Sequence, residues 1–156
     1  MIKRGGAGLK FDNDFFNTEV REGFEISSMM KRAWAAQMEV FQVVSDICNR
    51  NGIRYFADFG TLLGAVRHKG MIPWDDDIDI SLMRDEYNEL IRILPGELPY
   101  GFVVAGMYAD CERLQNAAFV PQLRVIADEE LWDFNDYMKC CLLYTSPSPR
   151  DMRRSR

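Results

Sequence analysis

The stretch W-D-D-D-I-D-I-S-L, residues 74–82, restricts the folds open to this chain more than any other. Four carboxylates lie within five residues, and Ile78, Ile80 and Leu82 alternate with the last of them. A helix would scatter these side chains around its circumference, whereas a strand sorts them onto two faces. A strand over 75–83 puts Asp75, Asp77 and Asp79 on one face. It puts Asp76, Ile78, Ile80 and Leu82 on the other, which is mostly apolar and suits a core. At a rise of ~3.3 Å per residue, successive acid-face Cα atoms stand about 7 Å apart. Like charges so close raise one another's pKa unless a cation compensates. An oxygen-preferring divalent ion, Mg²⁺ or Mn²⁺, is the natural compensation. Carboxylates at i and i+2 can hold such an ion together with a di- or triphosphate.

Upstream, Y-F-A-D-F-G-T-L-L-G-A-V-R-H-K-G occupies residues 55–70. The apolar run 53–59 reads as a buried strand, Gly60 breaks it, and 61–68 suits a short helix with Thr61 in its first turn. A strand followed by Gly60-Thr61 and a helix presents backbone N–H groups to an anion. Gly60 permits close approach, and the Thr61 hydroxyl adds a donor. Arg67, His68 and Lys69 follow on the same connection and can bring positive charge to phosphate. His68 equally suits a packed or surface histidine.

Elsewhere the patterning is that of a small mixed domain. Over Ser28–Arg50, Met30, Trp34, Met38, Phe41, Val44 and Cys48 recur at steps of three and four, forming a core-facing helical stripe. Arg32, Glu39, Asp46 and Arg50 fall opposite. Ser27 or Ser28 caps the start, and Asn51-Gly52 fits the stop. Residues 85–94 read as a second helix that Pro95-Gly96 ends, 102–105 and 119–127 as strands, and 110–116 as a loop. Arg54 and Arg124 read as structural. Residues 1–27 form an N-terminal extension, mobile at Gly5, Gly6 and Gly8, in which Phe11, Phe15 and Phe16 need burial. The order predicts an α+β (α/β) domain, a small mixed sheet flanked by helices.

Composition removes several classes. Apolar residues make up 47% and charged residues 28% of 156, which excludes disorder of the whole chain. A formal charge of −5 argues against a general nucleic-acid binder. One histidine excludes a two-histidine zinc site. No run approaches the roughly 20 apolar residues of a membrane span, and residues 1–10 lack the apolar core of a secretory signal. A cytoplasmic protein is expected. Cys48, Cys111, Cys140 and Cys141 are too irregular for a disulfide framework and read as reduced thiols. Asp75, Asp77, Asp79 and Glu86 match positions 1, 3, 5 and 12 of a calcium loop. Ile80, however, stands where glycine is needed, and a β-branched residue resists the left-handed region.

The string G-T-L-L-G-A-V-R-H, a short linker, then P-W-D-D-D-I-D resembles the core motif of the LicD family, which includes the fukutin-related proteins. The resemblance runs from about residue 34 to residue 94. It implies a nucleotidyltransferase-like fold, with Gly60 and Thr61 forming the phosphate-side turn. It implies Asp77 and Asp79 as ligands of the catalytic metal, Asp75 completing the triplet, and Arg67 and Trp74 on the pattern. Trp74 reads as packing before it reads as a platform for cytosine. The activity implied is transfer of a phospho-alcohol, phosphocholine first, from a CDP-linked donor to a hydroxyl of a glycan such as lipopolysaccharide or teichoic acid. CDP-ribitol is the alternative donor, and a noncatalytic nucleotide- and metal-binding module the alternative role. Lipid-linked acceptors are compatible with peripheral association at the inner membrane face. Asp75 and Asp58 are candidate bases.

Residues 141–151, C-L-L-Y-T-S-P-S-P-R-D, read as the translation of a transposase sequencing adaptor. On this reading the domain covers 28–140, is incomplete at its C-terminus, and 141–156 is an artefactual tail. That tail carries four arginines and one aspartate, so residues 1–140 have a net charge of −8. The truncated chain is expected to turn over poorly, because the fold needs a third carboxylate from a neighbouring strand. Asp128 is a possible substitute. The two Ser-Pro steps forbid a helix, and a disordered or loosely docked tail is expected.

Overall fold

The computed structural model describes residues 9–105, 123–127 and 143–147. Gly5, Gly6, Gly8, residues 110–116, Cys111, Asp128, Cys140 and Cys141 lie outside these residues. The chain opens with a 3₁₀ turn, Asn13–Phe16, then the hairpin β1 (Glu19–Arg21) and β2 (Phe24–Ile26). Its two-residue loop places Glu22 and Gly23 at positive φ, 51° and 78°, the geometry that matches strand twist. The extension is thus built onto the domain. Phe11, Phe15 and Phe16 cluster with one another, Lys31 and Arg32 lie over the rings of Phe15 and Phe16, and Lys31 pairs with Glu19 at 3.2 Å.

Helix α1 (Ser28–Arg50) is the backbone of the core. Trp34, Val44 and Cys48 are buried as the stripe requires, but so are Ala35, Ala36, Val40 and Ile47, while Met30, Met38 and Phe41 are only partly covered. Glu39, placed on the solvent side by periodicity, is buried. A helix covered by a sheet, a second helix and the extension loses more than one face to the interior. Ser27 caps α1 by accepting the Met30 N–H at 3.2 Å. Ser27→Ala is expected to cost about 1 kcal/mol of stability, read by urea unfolding; an unchanged midpoint would show the cap to be inert. Gly52, at φ 66°, ends the helix where expected.

Strand β3 (Tyr55–Ala57), helix α2 (Phe59–Arg67), strand β4 (Ile78–Leu82) and helix α3 (Arg84–Glu97) follow. Helix α3 runs past Pro95, contrary to the expected stop. Pro95 lies in the last turn, and Glu97 is held there by Arg50 and Asn51, each at 3.0 Å. Arg54 is structural as read, binding Glu86 at 2.7 Å. β5 (Phe102–Ala105), β6 (Leu123–Ala127) and β7 (Leu143–Pro147) complete, among the described residues, a mixed sheet in the order β3-β4-β7-β6-β5. β4 and β7 run parallel and the other neighbours antiparallel. The α+β class is as expected. Ile78, Ile80 and Leu82 of β4 pack with Val40, Val44 and Ile47 of α1 and with Tyr87, Leu90 and Leu94 of α3.

Over residues 143–147, strand β7 departs from the expectation of a disordered or loosely docked tail. Ile78 to Leu82 pair with Leu143 to Pro147 in register, and β6 takes the other edge of the same strand. Ser-Pro steps bar a helix, but they favour extended backbone at the preceding residue. Leu143, Tyr144 and Thr145 are strand formers. The edge of β4 away from β3 carries backbone groups that need partners, and this segment supplies them.

Candidate active site

The acidic segment joins the sheet later than alternation predicts. β4 begins at Ile78, so Asp75, Asp76 and Asp77 lie in the approach to the strand. A turn closed by the Asp75 N–H to Ile72 carbonyl bond, 3.0 Å, delivers them there. Pro73 at its second position suits that turn. The Asp75 carbonyl accepts the Trp34 indole N–H at 2.8 Å, and the Asp76 carbonyl accepts the Gln37 side-chain amide. With its carbonyls held by α1 rather than by a neighbouring strand, the segment is released from strict alternation.

The consequence concerns Asp76. Expected on the apolar face, it is exposed, and one carboxylate oxygen from each of Asp75, Asp76 and Asp77 lies within 4.8 Å of the others. Asp79 is within β4, electrostatically coupled to Asp75, Asp77 and Asp58. Burial, then the charges of Asp79 and Asp75, push the Asp77 carboxyl up to about 6. Burial, then Asp75 and Asp58, raise Asp79 as well. The donor set is all oxygen and its charges repel one another, which fits a hard divalent cation.

The facing wall is the start of α2. Asp58 is its N-cap, accepting the Phe59 N–H at 2.9 Å and the Ser81 hydroxyl. Gly60 and Thr61 lie in the first turn. The Asp79 N–H donates to Thr61 Oγ1 at 2.7 Å, tying α2 to β4 and leaving the Thr61 hydroxyl proton free to be donated elsewhere. A Cβ on Gly60 would stand 2.2 Å from Asp75 Oδ2. The anion that the glycine admits to the helix start is thus the protein's own carboxylate. Gly60, Thr61 and Ala65 of α2, the loop 70–72, Asp75, Asp77 and Met38 line a half-open, mainly apolar hollow of about 210 Å³.

The basic trio is not gathered there. Arg67 is exposed about 10 Å along α2 from Gly60, at 1.5 Å per residue. The His68 side chain is buried, with Nδ1 3.0 Å from Glu22 of the hairpin and its ring edge-on to Trp74. Lys69 folds back onto the Val66 carbonyl at 2.9 Å. Trp74 touches Phe24 and His68 edge-on, yet remains 52% exposed. Trp34 and Gln37 were not singled out as site residues by patterning. The legible signal was an amide one turn from Trp34 on a buried face, since a buried amide must find a partner.

No described helix is long and apolar enough to cross a membrane. Parts of this chain are similar to curated proteins. The lipopolysaccharide cholinephosphotransferase LicD of Haemophilus influenzae is 53% identical over 47 residues, 30% of this chain and 18% of that protein. An uncharacterised protein of Rickettsia prowazekii is 41% identical over 71 residues, 44% and 27% of the two chains. The human ribitol 5-phosphate transferase FKRP is 37% identical over 51 residues, 33% and 10%. The chain therefore spans about a quarter or less of the length of these curated relatives. The profile of the LicD/FKTN/FKRP nucleotidyltransferase domain matches residues 52–137, more than half of the sequence. On the strength of that match, the chain belongs to the LicD/FKTN/FKRP nucleotidyltransferase-domain family.

Proposed function

We propose that this chain carries the donor-binding core of a metal-dependent phosphotransferase that moves a phospho-alcohol from a CDP-linked donor to a glycan hydroxyl. The observation that carries the reading is the convergence of Asp75 and Asp77 with Gly60 and Thr61 on one hollow. Family membership and the names of the Haemophilus and human relatives support the transfer of choline phosphate or ribitol phosphate. Phosphocholine is the first choice and CDP-ribitol the alternative donor. The cytoplasm is the proposed place of action.

Asp75 and Asp77, with Asp79 and Asp76 beside them, would hold Mg²⁺ or Mn²⁺. The ion, when bound, supplies positive charge next to phosphoryl oxygens. The acceptor oxygen attacks the phosphorus that carries the alcohol, and the bond from that phosphorus to the oxygen bridging to CMP breaks. CMP leaves with the bridging oxygen, and the hydroxyl proton passes to a carboxylate. Asp58 is the weaker candidate base, because both its oxygens already accept bonds from Phe59 and Ser81. With the Asp75 carboxylate already against Gly60, the Thr61 hydroxyl is the donor of α2 that a donor phosphate would meet.

Calorimetric titration with CDP-choline and with CDP-ribitol, each with and without Mn²⁺, tests the reading beside an assay of CMP release. Metal-dependent binding with slow CMP release is the expected result. Binding without CMP release makes the chain a nucleotide-binding module. Absence of binding with either donor overturns the proposal.

A further inference from the structure

We propose that Trp34 and Gln37 are positioning residues whose bonds to the carbonyls of Asp75 and Asp76 hold the acidic segment in its metal-binding arrangement. The proposal rests on the metal-site reading above and adds to it which residues of α1 shape the site.

Residues 75–77 need such a hold. Strand pairing of β4 with β3 and β7 begins at Ile78 and later, so the sheet does not fix the three preceding peptides. Asp75, Asp76 and Asp77 nonetheless keep carboxylate oxygens within 4.8 Å of one another, an arrangement that like charges oppose. Against this repulsion stand the turn from Ile72 to Asp75 and two donors from α1. Trp34 and Gln37 are 2% and 4% exposed and three residues apart, so they share one helix face and meet consecutive carbonyls. Both side chains are locked by burial, whereas the carboxylates they aim are partly or fully exposed. Rigid donors behind adaptable ligands are what a metal site needs, since ligand placement must hold to within about 0.5 Å.

The direct test is Mn²⁺ affinity, read by electron paramagnetic resonance, in wild type, Trp34→Phe and Gln37→Met. Phenylalanine keeps an apolar ring and methionine keeps the chain length, but each removes one donor. Loss of a supporting bond behind metal ligands lowers affinity by about 10- to 100-fold, and that loss is expected for each variant. Ser45→Ala is the control. It removes the 2.7 Å Ser45–Tyr55 bond elsewhere on the same helix and is expected to lower stability while leaving Mn²⁺ affinity unchanged. In wild type, saturating Mg²⁺ is expected to shift the indole N–H proton resonance of Trp34, a signature that general loosening does not produce.

Wild-type binding with both variants equally tight overturns the positioning role and leaves the metal site standing. So does a fall in affinity in Ser45→Ala as large as in the two variants. A wild type that binds no Mn²⁺ overturns both readings. Should Trp34→Phe fail to fold, Gln37→Met and the Mg²⁺-dependent resonance decide the matter.

Discussion

Asp77→Asn is expected to raise the melting temperature of the metal-free protein at pH 7 and to abolish metal-dependent donor binding. The two effects have one origin. Burial and the charges of Asp79 and Asp75 raise the Asp77 carboxyl to about 6 in the folded chain, against an ordinary value of about 3.9 when unfolded. Between these values the folded state holds more protons than the unfolded one. Stability therefore falls as pH rises from about 4 to about 6, and the full penalty is present at pH 7. Asparagine removes the charge that is repelled. The gain in melting temperature should vanish below about pH 4, where the wild-type group is protonated in both states, and grow through pH 6. Asp79, raised in the same direction, contributes a dependence of the same sign. Saturating Mn²⁺ should reverse the order, because only the wild type then gains binding energy in the folded state. Calorimetric scans at pH 4, 5, 6 and 7 with and without Mn²⁺ read all of this. A difference between variant and wild type that stays constant with pH would refute the electrostatic account. Undiminished metal-dependent binding in the variant would refute the ligand assignment.

Gly64→Ala is expected to destabilise the fold by about 1–3 kcal/mol, the range for forcing a methyl group into a packed site. An ideal Cβ on Gly64 stands 2.5 Å from the Gly70 carbonyl oxygen and 3.3 Å from both the backbone N and Cγ1 of Ile72. Backbone cannot swing aside as a side-chain tip does. The loop that returns across α2, tied to the Gly64 carbonyl by the N–H groups of His68 and Gly70, would have to lift. That loop leads into the turn presenting Asp75, so metal affinity should fall with stability. Gly70→Ala is the matched control, since its Cβ would meet nothing within 4 Å. Urea unfolding of the two variants decides the point; equal midpoints would show that α2 and the loop are not in close contact.

The same packing gives the glycines of G-T-L-L-G a physical meaning. Gly60 and Gly64, one helical turn apart on the inward face of α2, make room for the Asp75 carboxylate and the Gly70 carbonyl. The outward face of that helix, Phe59, Leu62, Leu63 and Val66, remains largely exposed. Periodicity alone would have turned this helix over. A helix with four apolar residues at steps of three and four is ordinarily read with those residues inward.

Much was legible from residue order. Helix α1 with its Ser27 cap and Gly52 stop and the apolar face of β4 follow from local rules, whereas the buried strand read over 53–59 ends at Ala57, leaves Phe56 and Phe59 exposed, and is stopped by the Asp58 cap, with Gly60 inside α2. Such rules depend on short-range sterics and on the periods of helix and strand, which a sequence displays directly. The spacing of the aspartates pointed to an acidic cluster but not to its members, since Asp76 rather than Asp79 stands with Asp75 and Asp77. What the chain could not display was decided by contacts between residues distant in sequence. Trp34 and Gln37 take the carbonyls of Asp75 and Asp76, so strand alternation stops at Ile78 and Asp76 joins the acidic cluster. Glu22 reaches His68 across the hairpin, so the buried imidazole faces the extension rather than the hollow. Leu143–Pro147 fills the free edge of β4, because unpaired backbone groups take whichever strand-forming segment the fold brings to them. Local order sets which elements form, and the need to satisfy and separate charges and peptide groups after packing sets where each side chain ends.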